Sequence, residues 1–371
     1  MANSKVYFTN LRAKPGVNLL QKLERLVKKA GIEDIDFNGK LTAIKIHFGE
    51  PGNLAYLRPN YAKVIADVIK SLGGKPFLTD CNTLYVGRRK DALEHMEAAY
   101  ENGYNPFSTG CHVIIGDGLK GTDEAYVPVP GGEYVKEAKI GQAIMDADIF
   151  ISLTHFKGHE LTGFGGALKN IGMGCGSRAG KMEMHSDGKP RVFAKRCRGC
   201  GSCIKICAQQ AISIMEDNKA TINHDRCVGC GRCIGICRFD AISPAWDESN
   251  DVLNRKIAEY ALAVVHDRPH FHISLMIDIA PNCDCHAEND APILPDIGML
   301  ASFDPVALDM ACVELANRAP ALPDSLLSDI GGQEKTTDHF CHAHPETDWR
   351  SCLEHAEKLG LGQRAYELIE V

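Results

Sequence analysis

Apolar and polar positions before residue 190 follow two alternating periods. Short apolar runs predict strands at residues 42–48, 75–80, 111–115 and 147–154. Apolar residues three and four positions apart predict amphipathic helices at residues 61–72 and 88–102, and a shorter helix is predicted at 140–145. Strands that alternate with helices in this way indicate βαβ units, so the pattern predicts an α/β fold with a largely parallel sheet.

The same alternation returns after residue 246. It predicts helices at residues 254–265, 304–317 and 349–359, and strands at 271–279 and 298–302. This second stretch has few strands for a sheet of its own. We therefore predict one α/β domain, formed by residues 1–189 and 246–371, with an inserted module at residues 190–245. Two separate α/β domains on either side of the module are the alternative.

The predicted insert contains two cysteine runs of the form C-x-x-C-x-x-C-x-x-x-C, with an offset of 30 residues between them. Three thiolates at this spacing bind three irons of one [4Fe–4S] cube, and the fourth cysteine of each run binds the other cube. The predicted ligand sets are Cys197, Cys200, Cys203 and Cys237 for the first cluster, and Cys227, Cys230, Cys233 and Cys207 for the second.

The repeat also includes glycines and isoleucines between the cysteines, and residues 190–245 resemble the bacterial two-cluster ferredoxins. The resemblance implies an α+β module that carries two [4Fe–4S] clusters. One departure is that the proline which usually follows the fourth cysteine is Ala208 in one run and Arg238 in the other. Structural zinc sites and disulfides are the alternatives, but a zinc ribbon would need only paired C-x-x-C units.

The composition limits which binding partners and which cellular location we expect for this protein. The formal net charge is −7 and the pI is near 6.1, which predicts neither nucleic acid nor an anionic membrane as a partner. No apolar run approaches the roughly 18 residues of a membrane span. The first residues lead into a strand-like run and resemble no signal peptide. Because iron–sulfur clusters are sensitive to oxygen, we expect a cytoplasmic location.

A loop after the strand at 147–154 is the first candidate for a second site. It contains His155, Lys157, His159 and Lys169 among several glycines. Ligands of open α/β sheets collect outside the carboxyl ends of the strands. The two histidines could share a metal or an anionic ligand, and the lysines could bind a carboxylate or transfer a proton. The alternative is a tight glycine loop with hydrogen-bonded histidines.

Two further stretches carry candidate ligands. Gly174, Gly176, Arg178 and Lys181 lie in a glycine-rich stretch that could bind an anion through its N–H groups and cations. A dinucleotide site is excluded there, because that fingerprint must follow a strand and open a helix.

The second of these stretches contains Cys283 and Cys285, followed by His286. They could hold an additional metal ion together with His155 or His159. Alternatively, the two cysteines are reduced thiols beside a cleft.

The chain as a whole resembles the iron–sulfur centre proteins of the family called domain of unknown function 362. The residues that carry the resemblance lie at 45–49, 79–85, 154–170, 169–185, 283–285, 295–298 and 304–309. This resemblance implies no established reaction. A fainter likeness links residues 155–169 to a stretch of the nickel-pincer lactate racemases. It implies that His155 or His159, with Lys169, serves a metal or a cofactor.

These features lead to three functional hypotheses. The first is an electron-transfer oxidoreductase, in which two [4Fe–4S] clusters connect a redox partner protein with a small molecule or metal in the α/β cleft. The second is a non-redox metalloenzyme that acts on a carboxylate or hydroxy acid, with structural clusters. The third is an iron–sulfur sensor or scaffold.

Overall fold

The computed structural model describes residues 3–186, 188–331 and 338–371, and the elements below are those of the described residues. The strands are β1 (Ser4–Asn10), β2 (Leu41–Lys45), β3 (Lys75–Asp80), β4 (His112–Ile115), β5 (Glu124–Pro128), β6 (Glu137–Gly141), β7 (Ile149–His155), β8 (Lys157–His159), β9 (Gly163–Gly165), β10 (Pro190–Val192), β11 (Ile212–Ile214), β12 (Ala220–Ile222), β13 (Ile242–Pro244), β14 (His270–Met276), β15 (Gly298–Ser302) and β16 (Tyr366–Glu370).

Helices cover both faces of the main sheet. They are α1 (Leu19–Lys29), α2 (Pro59–Ser71), α3 (Ala92–Glu101), α4 (Pro106–Thr109), α5 (Gln142–Met145), α6 (Ala167–Cys175), α7 (Arg178–His185), α8 (Ser202–Ile206), α9 (Arg232–Ile236), α10 (Asn250–Val265), α11 (Pro305–Arg318), α12 (Leu326–Asp329), α13 (His339–Ala343) and α14 (Arg350–Lys358), with a 3₁₀ turn at Ile32–Asp34. Two large apolar clusters, one on each face of the sheet, bury its strands.

The central sheet has eight strands in the order β16-β1-β15-β14-β7-β2-β3-β4. Its neighbouring pairs are parallel except where β15 lies between β1 and β14, antiparallel to both. Strands from both sides of residues 190–245 therefore pair directly, since β7 and β14 are neighbours. The prediction of an α/β fold with a largely parallel sheet is confirmed.

Most predicted elements match the observed ones within a few residues. The helix predicted at 304–317 is α11, which Asp304 caps by accepting the N–H groups of Val306 and Ala307. The helix predicted at residues 140–145 is wrong in its first half, because β6 continues to Gly141 and only α5 is helical. Pairing of β6 with β5 holds this segment extended, and a contact between distant residues of that kind leaves no periodic pattern in a short run.

Residues 190–245, called the cysteine segment below, form two short antiparallel hairpin-like pairs, β10 with β13 and β11 with β12, and two one-turn helices, α8 and α9. The two helices begin after Gly201 and Gly231, whose φ angles are 71° and 67°. Glycine adopts this left-handed conformation without the steric clash of a Cβ atom. The segment has its own small apolar cluster, and the limits at residues 190 and 245 stay a prediction.

Candidate functional site

A cavity of about 540 Å³ lies beyond the carboxyl ends of β2, β3, β7 and β14. Its charged and sulfur-bearing lining comes from distant parts of the chain, from Lys45 to Glu288. Its apolar wall includes Leu161, Met173 and Trp246. Parallel strands place their carboxyl ends at one edge, so residues that follow separate strands meet there. The cavity can thus receive a small molecule with both a charged and an apolar part.

Lys45, at the end of β2, is fully buried on the cavity wall. Its ammonium contacts Asp80 Oδ1 at 3.0 Å and donates a hydrogen bond to Asn170 Oδ1 at 2.8 Å. Burial alone would raise the pKa of Asp80, but the Lys45 charge holds it below its usual range. Gly174 permits this arrangement, because a Cβ atom there would lie 2.5 Å from Lys45 Nζ.

Arg89 forms a second buried network on the same wall. Its guanidinium contacts Glu50 Oε2 at 2.8 Å, Tyr85 Oη at 2.8 Å and His47 Nε2 at 2.9 Å. Burial and the neighbouring Arg89 charge lower the pKa of His47 to about 3, so its imidazole is neutral. No role was predicted for these residues from the sequence. The feature that could have indicated them is the set of charged residues at the ends of two predicted strands and just after them, at 45–50 and 80–89.

His155 lies behind the cavity wall. Its Nδ1 lies 2.9 Å from both carboxylate oxygens of Asp284, and its Nε2 is 2.7 Å from the carbonyl oxygen of Ile277. Both ring nitrogens are thus occupied, which corrects the expectation that His155 binds a metal or a ligand. Lys157 Nζ also contacts Asp284, at 3.4 Å, and lines the cavity. His155 is a positioning residue for the turn that contains Asp284.

Cys283 and Lys169 meet on the cavity wall. Lys169 Nζ lies 3.7 Å from Cys283 Sγ, and Cys285 also lines the cavity. Hydrogen bonding from Cys285 lowers the pKa of Cys283 well below its usual value despite burial, and Lys169 and His159 act in the same direction. His159 Nδ1 accepts the N–H of Leu161, which leaves the ring proton on Nε2. The site therefore favours a thiolate at Cys283.

Two ammonium groups of the cavity have no acidic partner. In the described residues, no carboxylate lies within ion-pair distance of Lys169 or Lys181, whereas Lys45 and Lys157 each contact one. Lys181 is only 7% exposed and donates to the carbonyl oxygens of Gly174 and Gly176. Even with a thiolate at Cys283, which lies 3.7 Å from Lys169, the two ammonium groups leave one positive charge without a counter-charge, so this part of the cavity favours an anion.

Arg178 does not face the cavity. Its guanidinium donates to the carbonyl oxygens of Lys120, Thr83 and Lys90, and it packs against Gly231 of the cysteine segment. This corrects the prediction that Arg178 contributes to an anion site in the glycine-rich stretch. Gly176 ends helix α6 and is not part of the cavity lining, so Lys181 and Gly174 are the residues of that stretch which reach the cavity.

The cysteine segment contains two small cavities, each lined by four cysteines. One is lined by Cys197, Cys200, Cys203 and Cys237, and the other by Cys207, Cys227, Cys230 and Cys233. Three of each set come from one run and the fourth from the other, the grouping predicted for two cubes. Backbone N–H groups of Ala211 and Ala241 donate to the fourth cysteines of the two runs at 3.3 Å, and Ala220 donates to Cys197 at 3.3 Å.

These features fit a pair of [4Fe–4S] clusters, because N–H groups directed at cysteine sulfur stabilise thiolate ligands. Cluster occupancy itself stays a prediction.

Across residues 3–186, 188–331 and 338–371, no three His, Cys, Asp or Glu side chains are grouped to hold a single metal ion. A cube distributes its four thiolates over four irons and does not need such convergence. The additional metal at Cys283 and Cys285 stays a prediction; of its two expected histidine ligands, His159 lines the cavity and His155 does not.

The cysteine segment adjoins the large cavity. Leu84 lines that cavity and also packs in the apolar cluster that contains Cys233 and Ile234. Trp246, just beyond β13, lines the cavity and packs edge-on against His185, with ring centroids 4.7 Å apart. Gly231 and Gly235, on either side of Cys233, pack against Arg178 of α7, which also donates to the carbonyl oxygen of the cavity residue Thr83. The set around Cys233 is therefore the one adjacent to the body of the protein, whereas Cys200 of the other set is exposed.

A comparison with protein families matches residues 42–314, about three quarters of the chain, to the domain of unknown function DUF362. The chain belongs to the DUF362 family. Its sixteen cysteines, eight of them in two runs, are compatible with metal or iron–sulfur binding in this DUF362 protein. In the described parts of the chain, no helix combines the length and apolar character needed to cross a bilayer.

Individual relatives are distant. The thylakoid-associated protein sll1697 of Synechocystis sp. is 27% identical over 139 residues, which are 36% of this chain and 36% of that protein. The chain thus spans about a third of the length of this relative. The lactate racemase apoprotein of Thermoanaerobacterium thermosaccharolyticum is 12% identical with a TM-score of 0.43, over 85% of this chain and 59% of that one. A Thermotoga maritima protein is 14% identical with a TM-score of 0.35, over 79% and 57%.

Proposed function

We propose that this DUF362 protein is an iron–sulfur oxidoreductase. In this proposal the eight cysteines of the two runs hold two [4Fe–4S] clusters, and the large cavity binds the small molecule that is oxidised or reduced. When bound, such clusters supply one electron each. The observation that carries the proposal is the grouping of eight cysteines around two cavities directly beside a third cavity rich in cations and thiols.

The position of the two cysteine sets suggests a direction for electron entry. Cys200 is exposed, so its set is accessible to a redox partner protein. Cys233 is buried, and the glycines on either side of it pack against Arg178, which donates to the carbonyl oxygen of Thr83 in the cavity wall. A partner at the Cys200 side and a substrate at the Cys233 side would therefore be separated by both sets.

The cavity supports a substrate with a carboxylate or a similar anionic group. Lys169 and Lys181 lack an acidic partner in the described residues, and each can donate to an anion that enters the cavity. The cavity lining also includes Leu161, Met173 and Trp246, which can pack on an apolar body of the substrate. A water-excluding wall of this kind strengthens the attraction between the ammonium groups and the anion.

The non-redox metalloenzyme is the weaker alternative, because His155 has no free ring nitrogen and only His159 of its two candidate histidines lines the cavity with the two cysteines. Elemental and sulfide analysis of air-free protein tests both functions. We expect about eight irons and about eight acid-labile sulfides per chain, together with reduction of the colour by dithionite. Colourless protein without acid-labile sulfide would contradict the proposal. Stoichiometric zinc or nickel that is lost in Cys283→Ser would support the alternative.

A further inference from the structure

Cys283 and Cys285 lie in a single turn. The N–H of His286 donates to the carbonyl oxygen of Cys283 at 3.1 Å, which closes a four-residue β-turn with the two cysteines at its first and third positions. Two residues of extended chain span at most about 7 Å, and a turn shortens this distance further. A disulfide requires Cα atoms about 4.4–6.8 Å apart, so the backbone brings the two thiols into a range that permits one.

Buried contacts hold the turn in place. Asp284, between the two cysteines, is contacted by His155 at 2.9 Å and by Lys157 at 3.4 Å. Its carbonyl oxygen accepts the N–H of Glu50 at 3.0 Å. The side chain of Asp284 points away from the cavity into these contacts, while both cysteines line the cavity. The turn thus presents two sulfurs, and not its carboxylate, to whatever occupies the cavity.

The surroundings of Cys283 suit sulfur redox chemistry. Lys169 Nζ is 3.7 Å from its Sγ and has no carboxylate partner among the described residues. An ammonium at this distance stabilises a thiolate and can supply a proton when the thiol forms. Cys81, another thiol of the cavity lining, is instead directed to the carbonyl oxygen of Cys175 at 3.4 Å.

We propose that Cys283 and Cys285 form a redox-active pair that cycles between dithiol and disulfide in the cavity. Oxidation joins the two Sγ atoms and passes two electrons and two protons to the small molecule bound in the cavity, which is the acceptor in the proposed function. Reduction breaks the S–S bond and consumes two electrons and two protons, which leaves two thiols. The inference rests on the proposed function, since the disulfide is reduced by one-electron donors, and the proposed iron–sulfur clusters are donors of that kind. Two such donors together match the two electrons that one disulfide requires.

Differential alkylation of the holoprotein tests the pair. Protein purified without air is treated with diamide or with dithionite, alkylated, and analysed by mass spectrometry. After diamide we expect the peptide with Cys283 and Cys285 to be unalkylated and about 2 Da lighter, as the loss of two hydrogens requires. After dithionite we expect both residues to be alkylated. Full alkylation of both after diamide, with clusters intact, would overturn the pair.

An electron count provides the second measurement. A reductive titration of diamide-treated protein should take up about four electrons per chain, two for the clusters and two for the disulfide. Cys285→Ser should take up about two, while the matched control Cys341→Ser, a half-buried cysteine outside the cavity, should keep four. Equal uptake in Cys285→Ser and wild type would contradict the inference.

The outcomes separate the two proposals. If the clusters accept electrons while Cys283 and Cys285 stay reduced, the redox pair is contradicted and the proposed function is not. A pair that cycles in protein without iron or sulfide removes the proposed function instead. Cluster absorbance monitors the integrity of each variant, and if Cys285→Ser loses its clusters, alkylation of the wild-type protein decides.

Discussion

The cysteine segment and the large cavity are assembled in opposite ways. All eight cysteines of the segment lie within 41 residues, from Cys197 to Cys237, at regular spacing. The cavity draws its lining from residues 45 to 288, after four different strands. Local spacing defines the first region, whereas sheet order defines the second. A substitution of one cysteine in the segment should therefore remove a whole cluster and leave the rest of the protein unchanged. A substitution around the cavity should instead disturb residues that are distant in the chain.

The largest expected effect is loss of a cluster from the segment. Cys233→Ser removes one of four thiolates in a buried set, and the iron content should fall from about eight to about four per chain. Cys352→Ser, a cysteine of α14 far from both sets, is the matched control and should retain full iron. Elemental analysis of air-free protein gives the answer. Full iron in Cys233→Ser would contradict the ligand assignment.

Removal of Asp284 tests how strongly distant contacts hold the cavity wall. Asp284→Ala leaves His155 and Lys157 without their buried carboxylate, so we expect the free energy of unfolding to fall by about 3–5 kcal/mol. The control Asp67→Ala breaks an exposed ion pair with Lys63 on α2 and should cost less than about 1 kcal/mol. Air-free denaturant unfolding measures both. Similar losses in the two variants would show that the turn is not anchored by Asp284.

Measurement of anion binding tests the role of Lys169, which has no carboxylate partner in the described residues. Lys169→Gln removes one charged donor from the cavity, and the affinity for benzoate, as a carboxylate probe, should fall about 10- to 100-fold, as loss of a charged hydrogen bond of about 1.5–3 kcal/mol predicts. Lys63→Gln, on the exposed face of α2, should bind benzoate like the wild type. Isothermal calorimetry compares them. Unchanged affinity in Lys169→Gln would contradict the anion site.

The smallest expected effect is at the rim, where Glu160 pairs with His286 at 3.0 Å. Burial alone would raise the pKa of Glu160, but His159 and His286 lower it to about 2, and the Glu160 hydrogen bond raises the pKa of His286. The stabilising contribution is then largest between the usual pKa values of the two groups, 4.5 and 6.5. It decreases towards acid as the carboxylate is protonated, and towards base as the imidazole loses its proton.

The variant Glu160→Gln tests how the stabilising contribution of the Glu160–His286 pair depends on pH. Because the pair is about one third exposed, the variant should lose less than about 1 kcal/mol of unfolding free energy at about pH 5.5, and less still at about pH 8.5. Denaturant unfolding at the two pH values provides the comparison. A larger loss at the higher pH would contradict the assigned pair.

The sequence predicted the sheet better than the site. Strands such as β3 and β15 were predicted with their observed limits, because short segments with buried apolar residues, such as Phe77 and Leu78 in β3, alternate with amphipathic helices. The glycine loop was placed correctly at the carboxyl end of β7, but His155 was expected to face a ligand and instead supports Asp284. The networks around Arg89 and Lys45 were missed, since a charged residue in sequence does not reveal its partner.

The sequence by itself determined the α/β class, membership of the DUF362 family and two repeated cysteine runs, since periodicity and short spacing reflect local geometry. The tertiary structure alone decided which residues share the cavity. Strand order brings Lys45, Lys169 and Cys283 to one edge, and it places the side of the cysteine segment that carries Cys233 next to that edge. Contacts between residues far apart in the chain depend on strand pairing, which no local pattern encodes.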